Sequence, residues 1–209
     1  MPSVNTRVFF SKMGRAKYIS HLDLNHCILR AMKRSRLPVW QTEGFNPHTY
    51  VAFMLPLSLG QEGECEAMDF RLTEDIPLEE VVSRLNASLP PDIRALRAAA
   101  PVYKNTDIAS AEYSIESDID VESFREFCNS EKIITEKKTK KGVTEIDLKP
   151  LILHLSFDDV ITLRLPAGNE FNINPALLFD AYSAATGERP SRLRIVRTHI
   201  FCADGNEFK

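Results

Sequence analysis

TRVFFSKMGRAKYISHLDLNHCILRAMKRSRLP, residues 6–38, decides how the rest of the chain is read. Residues 6–11 are rich in β-branched and aromatic side chains and read as a short strand. Residues 12–19 form a basic loop or continue that strand. Ser20 and Asp23 then make an S-x-x-D pattern, in which the hydroxyl accepts an orphan backbone N–H and starts a helix. Leu24, Cys27, Ile28, Ala31 and Met32 follow at helical spacing, so one face is apolar. His26, Arg30, Lys33 and Arg34 take the other face. Pro38 ends the helix near residues 36–37, because it disfavours helical backbone before it.

Outward from this strand and helix, residues 41–48 (QTEGFNPH) are a loop and 49–55 (TYVAFML) a strand. The near-continuous apolar character of that strand predicts a central position. Residues 65–72 form another strand. Pro77 opens a helix through about residue 88, with Leu78, Val81, Val82 and Leu85 on one face. Pro90 and Pro91 stop it, and 93–100 is a strand. The order β-α-β-β-α-β is that of a ferredoxin-like split βαβ unit. It recurs: strand 111–117, helix 121–129, strands 151–157 and 160–165, helix 174–186 and strand 191–202. An extra hairpin, 133–138 with 143–148, turns at Lys140-Lys141-Gly142. The expected architecture is α+β, two tandem ferredoxin-like domains over residues 1–103 and 109–209, the second with an inserted β-hairpin.

The chain has 209 residues and a formal net charge of −3. Its 44% hydrophobic and 26% charged content is ordinary for a globular protein and excludes collagen-like and wholly disordered chains. The charge is uneven. Residues 1–40 hold eight Lys/Arg and one acid, Asp23, whereas residues 41–100 hold four against ten. The chain is a basic head on an acidic remainder.

Several chemistries are absent. Cys27, Cys65, Cys128 and Cys202 are far apart, so there is no C-x-x-C and no C-x3-C-x2-C run for a radical SAM iron–sulfur cluster. There is no P-loop, no G-x-G-x-x-G and no G-x-S-x-G. No apolar run approaches a membrane span and no apolar stretch resembles a signal peptide, which points to a cytoplasmic chain with reduced thiols.

Three groups of residues could carry chemistry. Lys12, Arg15, Lys17, Arg30, Lys33, Arg34 and Arg36 form a cationic cluster suited to phosphates, and the same pattern is what a solvated helix face shows. Ser20-His21-Leu22-Asp23 places a histidine titrating near neutrality at a helix start, where it serves as an acid/base or makes local hydrogen bonds. In Gly44-Phe45-Asn46-Pro47-His48, Gly44 suits left-handed backbone and Pro47 holds Asn46 extended, so Asn46 and His48 can face a ligand. The alternative is a rigid connection. Phe9, Phe10, Tyr18, Phe53 and Phe70 lie on or beside strands, where core packing competes with base stacking. Two further cationic spots are the lysine hairpin (Lys137, Lys138, Lys140, Lys141) and Arg192, Arg194 and Arg197 of the last strand.

Residues 17–24 (KYISHLDL), 30–34 (RAMKR), Leu37-Pro38, Gly44–His48 as quoted and 56–60 (PLSLG) carry a family resemblance. The chain resembles the bacterial radical SAM-associated domain of unknown function, found alone or behind a cobalamin-binding radical SAM enzyme. That resemblance implies a radical SAM partner and a shared functional surface at residues 20–23 and 44–48. It implies that the iron–sulfur cluster and S-adenosylmethionine belong to the partner, with no cofactor in this chain.

The functional expectation is an accessory module presenting RNA or a tRNA-like substrate to a radical SAM partner. Its binding residues would be Lys17, Tyr18, Ser20, Arg30, Lys33, Arg34, Gly44, Phe45 and Asn46. One alternative is a protein-interaction subunit docking on an acidic partner. Another is a metal-independent RNA-processing or modifying enzyme with His21, Asp23 or His48 as catalytic candidates. There His21 is the acid/base, Lys17 or Arg34 stabilises charge, and Asp23 serves base isomerisation.

Overall fold

A computed structural model describes residues 4–139 and 142–209. The architecture is α+β, and the chain divides into two compact units, Met1–Asp107 with Phe208–Lys209, and Ile108–Glu207.

The first unit runs β1 (Val4–Lys12), α1 (His21–Ser35), β2 (Ala52–Phe53), β3 (Glu62–Leu72), α2 (Leu78–Asn86) and β4 (Ile93–Ala99). β1 pairs antiparallel with β3 on one side and β4 on the other, and β2 pairs with β3 on the side away from β1. Alternate residues of β1 point to opposite faces. Val8 and Phe10 join Met68, Phe70 and Leu72 of β3 and Ile93 and Ala95 of β4 beneath the helices. α1 supplies Leu24, Ile28 and Met32 to that layer, and α2 supplies Val81 and Leu85. Each such side chain removed from water contributes about 1.5–3 kcal/mol. Burial of this stripe, more than helix propensity, holds α1 in place.

The apolar run 49–55 is not a central strand. Only Ala52–Phe53 pairs, because Thr49 bridges back to Gln41 and Met54 N–H donates singly to the Ala67 carbonyl (2.9 Å). Met54 and Leu55 are buried and Tyr50 is exposed. The run satisfies its apolar character by tucking in, without a full ladder. Residues 12–19 hold a 3₁₀ turn, Gly14–Tyr18.

The second unit runs β5 (Ile108–Ser117), α3 (Val121–Cys128), β6 (Ile134–Thr139), β7 (Gly142–Asp147), β8 (His154–Phe157), β9 (Ile161–Pro166), α4 (Ala176–Thr186) and β10 (Leu193–Cys202). Its antiparallel sheet has the order β10–β5–β9–β8. An aromatic cluster fills the space beneath α3 and α4: Phe124 stacks on Phe179 at 4.8 Å and meets Tyr182 edge-on at 5.2 Å. β6 and β7 form a separate two-stranded hairpin. Its base is closed by Leu148 N–H to the Ile133 carbonyl (2.8 Å) and by Asp147, whose carboxylate accepts from Ile133 N–H (2.9 Å) and Lys149 N–H (3.0 Å). Those two bonds hold the Asp147 carboxyl below its ordinary range. Lys140 and Lys141 of the expected lysine turn lie outside the described residues.

Candidate functional site

α1 starts where the sequence places it. Ser20 has extended backbone, and its Oγ accepts from Asp23 N–H (3.1 Å) while donating to Asp23 Oδ2 (2.7 Å). The preceding 3₁₀ turn is tied down at both ends. Gly14, at φ +55°, donates its N–H to Glu62 Oε1 (3.0 Å), and Asp92 Oδ2 accepts from Arg15 N–H (3.0 Å). Lys17 Nζ lies 3.7 Å from Glu62 Oε1, and its carbonyl accepts from Gly60 N–H (2.8 Å). The 56–60 segment is thereby joined to the start of α1.

Beneath this start the apolar layer gives way to charge. Lys12 follows Phe10 on β1, Phe10 pairs with Glu66, and Lys12 pairs with Gly63 across a bulge. Lys12 is 2% exposed and Glu62 and Glu66 are each 4% exposed. Lysine and glutamate are rarely this buried unless paired. The Glu66 side chain lies over Gly63, where a Cβ would overlap its carboxylate, so a larger residue there displaces Glu66. His21, the first residue of α1, sets its ring edge-on to Phe53 at 5.0 Å. Burial, and then the positive charge of Lys12, lower the His21 pKa against the opposing pull of Glu66. The imidazole is therefore neutral at pH 7 and can accept or donate a proton.

Glu62 and Glu66 were not among the sequence-derived candidates, and Lys12, expected in the phosphate-facing cationic cluster, is instead buried with them. Their signal is the alternation Glu62-Gly63-Glu64-Cys65-Glu66, which on a strict period of two puts all three acids on one solvent face. The bulge breaks that parity. Glu64 is exposed while Glu62 and Glu66 are inside.

A second feature lies farther along α1. A groove of ≈470 Å³ runs between the helix and the 37–49 segment, with Leu29, Met32, Leu37 and Val39 in its floor and Lys33 and His48 among its lining. The loop above it is a small closed hairpin. Gln41 bridges Thr49, Thr42 N–H donates to the His48 carbonyl (2.9 Å), and His48 N–H donates to Thr42 Oγ1 (3.1 Å). His48 Nδ1 lies 3.1 Å from the Asn46 carbonyl, so an Nδ1–H tautomer donates there and leaves Nε2 open. Gly44, at φ +126°, makes the turn that leaves Phe45 fully exposed at the tip.

The candidates fall into two groups. His21, Ser20, Lys17, Tyr18 and Asp23 gather at the start of α1, with Asp23 engaged by the cap. Lys33 and His48 line the groove, and Gly44, Phe45 and Asn46 belong to the hairpin loop that leads into His48. His21 and His48 do not converge: the groove begins at Leu29, eight residues on, about 12 Å along the axis. Arg34 donates to the Ser88 carbonyl (2.6 Å), whereas Arg30 and Lys33 are exposed with no ion-pair partner among the described residues. The strand aromatics are packed: Phe10 and Phe70 in the core, and Phe9 under Arg97 at 3.5 Å. Tyr18 is exposed, with Lys17 Nζ 5.3 Å from its ring. In the last strand Arg194 pairs with Glu116 (2.7 Å) and Arg197 is buried, which dissolves that cationic spot.

Among the described residues no group of three or more His, Cys, Asp or Glu side chains is placed to hold a metal. Burial pushes the Cys128 thiol up to about 12, far from a ligating thiolate. No helix among the described residues is long and apolar enough to cross a membrane.

The sequence profile of a family described as an uncharacterized protein conserved in bacteria, DUF2344, matches residues 5–175. The chain belongs to this family. The DUF2344 match takes in the His21 cluster and the α1 groove, and it stops at Pro175, before α4 and β10. No curated protein matches the chain.

Proposed function

We propose that this DUF2344 chain is an accessory module that binds RNA along α1 and presents it to a radical SAM partner. One observation carries the reading. The groove beside α1 joins an apolar floor to exposed Lys33 and His48, with Arg30 one turn away and Phe45 held clear of the protein. Single-stranded RNA asks for that combination, since phosphates take cations and unstacked bases take aromatic rings and apolar surface. Strand orders β4–β1–β3–β2 and β10–β5–β9–β8, each with two helices, support reading the units as ferredoxin-like domains in tandem, the second with β6–β7 inserted. The radical SAM link rests on the motif resemblance at residues 17–24, 44–48 and 56–60. In this reading the partner brings the iron–sulfur cluster and S-adenosylmethionine, in the cytoplasm.

Filter binding of total tRNA at two salt concentrations tests the RNA half. Affinity is expected to fall as salt rises, and Arg30→Ala and Lys33→Ala to weaken binding and flatten that slope. Phe45→Ala is expected to weaken binding equally at both salts. Affinity indifferent to salt and to all three variants overturns the reading. Co-purification from RNase-treated bacterial lysate tests the partner half, and failure to retain a radical SAM protein removes it.

A second reading has its own observation, neutral His21 beside buried Lys12 and Glu66. Here the module itself cleaves or modifies RNA by acid–base chemistry. Labelled RNA incubated in EDTA stays unchanged under the first reading. Cleavage that disappears in His21→Ala establishes the second.

A further inference from the structure

The face of the first unit's sheet turned away from α1 and α2 carries a pocket of ≈400 Å³ that mixes apolar and charged side chains. Asn5 and the cross-strand pair of Arg7 and Asp69 make its floor, and Arg71 stands opposite Asn5. Arg7 grips Asp69 through two parallel hydrogen bonds of 2.8 Å each and also donates to the Tyr103 carbonyl (2.8 Å). The Asp69 charge is therefore matched inside the floor and does not repel an incoming anion.

Two cations remain at the rim. Arg71 leans over the Trp40 ring at 5.3 Å, and Lys104 is exposed. Among the described residues neither has a carboxylate within ion-pair distance. Tyr50 stands beside them, 58% exposed and with no ring contact among the described residues. Asn105 and Thr106 add neutral donors and acceptors to the wall. A flat ring, two unpaired positive charges and several neutral hydrogen-bonding groups thus line one small cavity. Its volume lies within the range of small-ligand sites, about 300–1,000 Å³.

We propose that this pocket binds a nucleoside monophosphate, the phosphate between Arg71 and Lys104 and the base against Tyr50. Charge selects the phosphate. A phosphate monoester carries about −1.5 to −2 near neutral pH, which matches two cations, whereas a carboxylate leaves one of them unanswered. The nucleotide is either free or the 5′-terminal residue of an RNA chain. This site lies on the opposite sheet face from the α1 groove and does not depend on it.

Calorimetric titration with AMP, GMP, CMP and UMP tests the free form, with adenosine and inorganic phosphate as partial ligands. A 5′-phosphorylated oligoribonucleotide compared with its 5′-hydroxyl twin tests the chain-end form. At least one phosphorylated form is expected to bind, more tightly than its unphosphorylated counterpart. Arg71→Ala and Lys104→Ala are each expected to raise its Kd about tenfold, the effect of losing one charge-assisted contact. Tyr50→Ala is expected to weaken binding and Tyr50→Phe to retain it. These positions are at the surface, and a melting curve verifies that each variant is folded. Binding of neither form, or binding unchanged in the Arg71/Lys104 double alanine variant, overturns the proposal. The Arg30 and Lys33 variants report on the groove alone, so failure at one site is distinguishable from failure at the other.

Discussion

His21 and Arg7 show how much a single side chain decides here. The His21 pKa is lowered in the folded state, first by burial and then by Lys12. Between that lowered value and the unfolded value near 6.5, the unfolded chain binds more protons than the folded one. Stability therefore rises with pH across that window and is reduced below it. Urea midpoints should fall from pH 7.5 to pH 5.5, and His21→Gln should remove part of the slope. Arg7 is 1% exposed and serves Asp69, Tyr103 and the Lys209 main-chain oxygen (2.6 Å) together. Arg7→Ala strips Asp69 of its counter-charge, and about 3 kcal/mol of stability should be lost, read from urea unfolding. Neither role was legible in the sequence. A lone arginine inside VNTRVFFSK reads as a strand-edge cation until the opposite residue is known, and that residue is 62 positions away.

At the scale of elements, α1 was the most legible part, because its signals are local. The S-x-x-D start sits at the observed cap, and Ser20→Ala should cost about 1 kcal/mol by thermal or urea unfolding. The end is less ordinary. Arg36 has φ +54°, left-handed backbone that favours glycine. Arg36→Gly should raise stability by up to about 1 kcal/mol, visible as a higher urea midpoint. The strand expected over 49–55 shrank to two residues for a reason that no window of that length contains. Whether an apolar run ladders or tucks depends on where its backbone groups find partners, and here Thr49 is taken by Gln41. The bulge that hides Glu66 is likewise a property of two strands at once.

At the scale of the whole molecule, the net charge of −3 conceals a basic head that the fold divides further. Lys12 goes into the interior, Arg7 to the far sheet face, and Arg30 and Lys33 to the surface of α1. The imbalance is written in the sequence, whereas the destination of each cation is set by the fold. The second unit makes a separate prediction. Its hairpin β6–β7 forms its own sheet, held at its base, by β6 lying against α4 and by Lys137 Nζ donating to the Asn172 carbonyl (2.8 Å). Replacing residues 135–146 by a short turn should leave the circular dichroism spectrum of a folded α+β protein and shift Tm by less than about 4 °C.

The first unit is completed from far away in the chain. Phe208 lies under the Arg7 guanidinium at 4.4 Å, and Phe208 and Lys209 belong to the unit whose other residues end at Asp107. During synthesis a hundred residues of the second unit leave the ribosome between those two pieces. Until they have done so, the nascent first unit holds Arg7 without the ring beneath it and without the Lys209 oxygen. Its last packing step waits on a closure across 202 positions, a slow kind of contact by loop entropy alone. Ribosome-bound intermediates of residues 1–107 should therefore be more open to protease near Arg7 than the finished chain, and the vectorial order of translation becomes part of how this protein reaches its fold.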